Sequence, residues 1–183
     1  LAAMCKGAAM IGPNMATMLA TILTDAALDP TDAQVALKAA VEDSFNCVSV
    51  EGHTSTSDTC LLIANGAADP TPLKGADLEA FNAILNEMCQ ELAPMIPNDG
   101  EGVTHLITID VTGAPDRASA KTLAQTVAND ALVKTAICGA DPNWGRIVSA
   151  TGRCGVPYDP SKVSLKVNGF LLYKDGVPQD FDK

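Results

Sequence analysis

Apolar and polar positions along the chain alternate between two periods, and the switches between them mark out the elements. Gly12-Pro13-Asn14 is a turn signal, and Thr17 to Thr24 after it is an apolar run of strand length. Asp29-Pro30-Thr31 then opens a helix, along which Val35, Leu37, Val41 and Phe45 recur at near-helical spacing. Cys47 to Val50 reads as a short strand, followed by the polar loop Glu51 to Asp58. Thr59 to Ala64 is a second apolar strand, closed by Asn65-Gly66. The stretch from Leu78 to Met95 is the clearest amphipathic helix, with Leu78, Phe81, Leu85, Met88 and Leu92 on one stripe and Pro94 and Pro97 at its end.

Beyond the turn Asn98 to Gly102, Thr104 to Val111 alternates as a strand does. Ala118 to Leu132 is helical, and Val133 to Cys138 is compatible with a strand. Gly139 to Asn143 turns into a short helix carrying Trp144 and Ile147. Val163 to Val167 and Phe170 to Tyr173 form a hairpin across Asn168-Gly169, a type I′ signal. Strands and helices come in groups, without repeat, low-complexity tract or internal linker. That grouping predicts a layered α+β domain rather than a regular doubly wound sheet. Both ends of the chain read as cuts.

Composition narrows the function classes. At 47% hydrophobic residues the chain has enough apolar surface for a packed core, which excludes a disordered segment. Twelve basic residues against 22 acidic ones give a net charge of −10, the wrong sign for nucleic acid. The longest apolar candidate, Met15 to Leu23, is too short and too broken by threonine to span a membrane. Cys5, Cys47, Cys60, Cys89, Cys138 and Cys154 lie far apart with no C-x-x-C pair, and only His53 and His105 add imidazole. This is no zinc pattern; reduced, mostly buried thiols in a cytoplasmic protein are expected. None is expected to have the neighbouring His or the cationic setting that would make it a nucleophile.

One segment carries chemistry. In Pro13-Asn14-Met15-Ala16-Thr17-Met18, rigid turn residues precede a small residue, and a threonine then opens an apolar strand. Spacing alone makes Thr17 an ordinary β-former with a satisfied hydroxyl. The functional alternative is a strained turn that presses the hydroxyl of Thr17 onto the carbonyl of Ala16. An N-to-O acyl shift followed by water would then free Thr17 as a new N-terminus. Its α-amine, with an ordinary pKa near 7.7–8.0, could serve as base for its own hydroxyl.

Lys6-Gly7-Ala8-Ala9-Met10-Ile11 followed by Pro13 to Leu19 resembles the processing site of the glutamate N-acetyltransferase/ornithine acetyltransferase family, commonly called the ArgJ family. Three further blocks are similar to it in the same order. They are Ser44-Phe45-Asn46 through Thr54-Ser55-Thr56-Ser57-Asp58-Thr59, then Asp99-Gly100-Glu101-Gly102, then Leu132 to Ala136 through Asp141-Pro142-Asn143-Trp144-Gly145-Arg146-Ile147. His53 and Ser57 depart from the acidic and amide residues common there.

The resemblance implies an αββα sandwich like that of N-terminal-nucleophile hydrolases. It implies cleavage between Ala16 and Thr17, so that residues 1–16 end an α segment and 17–183 form most of a β segment. Thr17 would be the nucleophile, acetylated and deacetylated in turn. Lys6 would meet the substrate α-carboxylate, and Glu101 would meet an ammonium group. Read alone, Lys6 and Glu101 are ordinary solvated charges. The implied reaction moves acetyl from N2-acetyl-L-ornithine to L-glutamate, with acetyl-CoA a further possible donor and no cofactor or metal. The implied assembly is a heterotetramer of two α and two β chains. Family members are about twice as long, and the oxyanion-hole Thr-Gly, a further substrate-binding threonine and a C-terminal Asn and Thr would lie outside this chain. Acyl transfer without such oxyanion donors loses a contribution of about 3–4 kcal/mol. An amide hydrolase or aminopeptidase on the same scaffold, or an inactive binding homologue, are the rival readings.

Overall fold

A computed structural model describes residues 1–8, 11, 18–53 and 57–181. The chain divides into two compact units, Leu1–Leu106 and Ile107–Lys183.

The first unit is built on a three-stranded sheet, β1 (Ala2–Lys6), β2 (Leu19–Ala26) and β3 (Thr59–Asp69), in that spatial order. β1 runs antiparallel to β2, and β2 runs parallel to β3. The parallel pair requires a crossover, which α1 (Pro30–Glu42) supplies. That helix starts where the sequence predicts: Asp29 caps it by accepting from Thr31 N at 2.9 Å, and Pro30 takes the first turn, where its missing N–H costs nothing.

Alternation along β2 sends Ala20, Ile22 and Thr24 into the core and leaves Leu19 and Leu23 outside. α1 lays Ala36, Ala40 and Val41 on that core, while Val35, expected on the buried stripe, is exposed. α2 (Gly75–Leu92) adds Phe81, Leu85 and Cys89, with Met88 and Leu92 partly buried beside them. The predicted stripe on α2 is therefore present, with Cys89 added to it. A one-turn helix, α3 (Met95–Asn98), continues past Pro94 and buries Ile96.

Two expectations in this unit need correction. Cys47 to Val50 is no strand; Phe45–Cys47 is a 3-10 turn that buries the Phe45 ring. β3 does not close at Asn65-Gly66 but runs through it, with Gly66 at φ +65°.

In the second unit, α4 (Arg117–Ala128), α5 (Ala131–Cys138) and α6 (Trp144–Thr151) pack around Val127, Val133 and Ala150. The expected continuous helix from Ala118 to Leu132 is broken at Asn129-Asp130. Asp130 accepts from Leu132 N at 2.8 Å and Val133 N at 3.1 Å, which starts a new helix where a strand was expected over Val133 to Cys138. The alternation from Thr104 to Val111 is likewise not a strand among the described residues. Alternation reports which side of a segment is buried, and here Ile109 packs on the second core without a ladder partner.

The antiparallel sheet β4 (Leu165–Val167), β5 (Phe170–Lys174) and β6 (Val177–Pro178) completes this unit. Asn168 and Gly169 both hold positive φ, 49° and 84°, as a type I′ turn demands. Trp144 stacks on Tyr173 with ring centroids 5.1 Å apart, so its ring serves packing. Helices and sheets are both present in quantity, and the class is α+β.

Candidate active site

Several segments converge at one end of the first sheet. Lys6 closes β1 and pairs with Leu19, the opening residue of β2. Leu19 in turn pairs with Thr59, the opening residue of β3. The register therefore sets the end of β1 beside the starts of β2 and β3. Glu101 lies far away in sequence, yet its turn packs on the same region. A Cβ added at Gly100 would stand 3.2 Å from Pro97 O and 3.5 Å from Ala8 O. The turn that carries Glu101 thus lies against the backbone two residues after Lys6. Both Lys6 and Glu101 are exposed, which leaves their charges accessible to a solute.

Thr17 and Ala16 lie outside the described residues, as do the turn Gly12-Pro13-Asn14 and the loop positions Thr54 to Thr56. Met18, the next residue along the chain, is 3% exposed, and its peptide groups are held on both sides. The N–H of Met18 donates to Asp58 Oδ1 at 2.7 Å, and the N–H of Thr59 donates to the carbonyl of Met18 at 2.9 Å. The first residue after the candidate nucleophile is thereby fixed at the head of β2.

Asp58 was only one member of a polar loop in sequence, and its contact across 40 positions is the feature sequence reasoning missed. A signal was available: a lone carboxylate directly before an apolar strand destined to pair with the strand behind Thr17. Its other oxygen, Oδ2, is buried and has no hydrogen-bond partner among the described residues. Burial pushes the Asp58 carboxyl above its usual range, and the bond from Met18 N only partly offsets this.

Among the described residues, no group of three or more His, Cys, Asp or Glu comes together as metal ligands would. No helix among them is long and apolar enough to cross a membrane. Arg146 donates to Leu132 O and Thr135 Oγ1, both at 3.0 Å, and so ties α6 to α5.

The ArgJ family model matches residues 1–183. The chain is 44% identical over 185 residues to the arginine biosynthesis bifunctional protein ArgJ of Rhodopirellula baltica, covering 100% of this chain and 45% of that protein. It is 46% identical over 180 residues to ArgJ 1 of a Nostoc species, covering 97% and 44%. The crystal structure of the ArgJ protein from Bacillus halodurans is similar with a TM-score of 0.85 at 36% identity, over 88% of this chain and 77% of that one. The chain therefore spans a little under half the length of the curated relatives it matches.

Proposed function

The chain belongs to the ArgJ family, and from that premise we propose that it forms part of an acetyltransferase that moves acetyl from N2-acetyl-L-ornithine to L-glutamate through an acetyl-threonine on Thr17. The observation that carries the reading is the match of the family model along all 183 residues, Thr17 and its flanks included. It is supported by the convergence of the Lys6 strand and the Glu101 turn beside the head of β2.

In this reading the bond between Ala16 and Thr17 is cut by the protein itself. Residues 1–16 then end one chain, and 17–183 make up most of the other. The hydroxyl of Thr17 attacks the Ala16 carbonyl, the peptide nitrogen leaves as the acyl group shifts to oxygen, and water hydrolyses the ester. The freed α-amine then takes the hydroxyl proton of Thr17 when the acetyl donor is attacked. Ornithine departs, and the amine of glutamate takes the acetyl group from the ester in a second, mirror-image transfer. Lys6 meets the α-carboxylate that both substrates share, and Glu101 meets an ammonium group.

No metal or organic cofactor enters these steps, and acetyl-CoA is a second donor the same ester chemistry accommodates. The oxyanion donors come from the remainder of the full-length protein, which assembles as two α and two β chains in the cytoplasm. The test is product analysis with labelled N2-acetylornithine. The account predicts labelled N-acetylglutamate that depends on added glutamate. Label released as acetate whether or not glutamate is present would instead make the protein an amide hydrolase.

A further inference from the structure

We propose that Asp58 is a positioning residue for Thr17, clamping through the N–H of Met18 the peptide group that joins the two residues. The inference rests on the reading of Thr17 as nucleophile and extends it to a residue on a different strand.

The amide nitrogen of Met18 is bonded directly to the carbonyl carbon of Thr17, so the plane of that peptide helps set where Thr17 points. In an ordinary parallel ladder the N–H at this position would meet a backbone carbonyl. Here it meets a carboxylate at 2.7 Å, while the carbonyl of Met18 is held by Thr59 N at 2.9 Å. A bond to an ionised acceptor is about twice as strong as one to a neutral acceptor. Two bonds on neighbouring peptide groups, one of them charge-assisted, hold the head of β2 against the recoil of an acyl shift one residue upstream.

The arrangement is costly for stability. Oδ2 of Asp58 is buried with no hydrogen-bond partner among the described residues, and burial disfavours the charged form. An asparagine would accept the same N–H without burying charge. A carboxylate whose second oxygen finds no partner among the described residues points to a role beyond holding the fold together. Positioning residues act through small displacements, to which acyl transfer is sensitive.

The experiment uses the full-length protein, with Asp58→Asn, Asp58→Ala and Thr17→Ala beside the wild type. Two quantities are followed: the rate at which a new N-terminus appears at Thr17, by intact mass, and the melting temperature of the uncut precursor. The expected result is a graded loss of cleavage rate. Asp58→Ala is slower by at least about tenfold, and Asp58→Asn, which keeps a neutral acceptor, lies between it and the wild type. The melting temperature of Asp58→Asn equals or exceeds that of the wild type. Wild-type cleavage rates in both Asp58 variants would overturn the proposal and leave the nucleophile reading intact. So would rates that fall only in step with the melting temperature. A wild type that stays uncut, like Thr17→Ala, would overturn both.

Discussion

Asp130 offers the sharpest test of how the second unit is held. Its carboxylate starts α5 by accepting from Leu132 N at 2.8 Å and Val133 N at 3.1 Å, and it also pairs with Arg153. The Asp130 side chain is 9% exposed and that of Arg153 is 63% exposed. The two contributions are therefore unequal. Losing a helix N-cap costs about 1–2 kcal/mol. An ion pair with one partner so exposed is worth about 0–1 kcal/mol. Asp130→Ala removes both and should cost about 2 kcal/mol, most of it from the cap. Asp130→Asn keeps a cap of equal quality and should cost less than about 1 kcal/mol. Arg153→Ala should match the asparagine variant.

Acid titration adds a second axis to the same test. Burial alone would raise the Asp130 carboxyl, but the amides of Val133 and Leu132 and the charge of Arg153 outweigh it and hold the group below the usual carboxylate range. A carboxyl lowered in the fold stabilises it fully above the unfolded value, near 3.9, and loses that contribution as pH falls through the folded value. The penalty of Asp130→Ala should accordingly be full at pH 7 and shrink below about pH 4. Urea unfolding followed by fluorescence reads this directly, because Trp144 is the sole tryptophan of the chain and stacks on Tyr173 within the same unit. An Arg153→Ala penalty equal to that of Asp130→Ala, or a cost that does not change with pH, would refute the reasoning.

Local geometry gives two further outcomes. Cys60 is pushed up to about 12 by burial and by its neighbours Cys89 and Cys5, and Cys89 is pushed up to about 11 by burial. At pH 8 a disulfide reagent should modify the exposed Cys47 and Cys138 promptly and reach Cys60 and Cys89 only in denaturant, as mass mapping would display. Both hairpin glycines hold positive φ, Gly169 at 84° and Gly176 at 79°. A Cβ at Gly169 meets nothing within 4 Å, whereas one at Gly176 would lie 2.9 Å from Ser161 Cα. Gly169→Ala should cost about 1–2 kcal/mol from backbone strain alone. Gly176→Ala should cost a further 1–3 kcal/mol or so by urea unfolding, since backbone must move.

Much of the fold was legible in the sequence because local signals and tertiary packing agree. Asp29-Pro30 states where α1 begins, and Asn168-Gly169 states the turn of the hairpin, each through a backbone requirement few residues meet. The failures have a common cause. Alternation over Thr104 to Val111 and apolarity over Val133 to Cys138 report burial, which a strand and an irregular or helical segment can satisfy equally. In the second case Asp130 is the deciding residue, since its cap on Leu132 N and Val133 N starts a helix. Val35 failed differently: the buried face of α1 is carried by Ala36, Ala40 and Val41, and Val35 lies off it.

Lys6 and Glu101 were found by resemblance, and nothing in their own spacing distinguished them from surface charges. In the fold, the turn that carries Glu101 lies against the backbone two residues past Lys6. Asp58 lies within one of the matching blocks, but its contact depends on the pairing of β2 with β3, which brings it to a backbone amide 40 residues distant.

The most direct test of the account is the mass of the protein made from its full-length gene, set beside a Thr17→Ala variant. Two fragments for the wild type, one beginning at Thr17, and a single uncut chain for the variant are the predicted result. A folded wild type that remains uncut after prolonged incubation would contradict the claim that Thr17 cleaves its own chain and serves as the nucleophile.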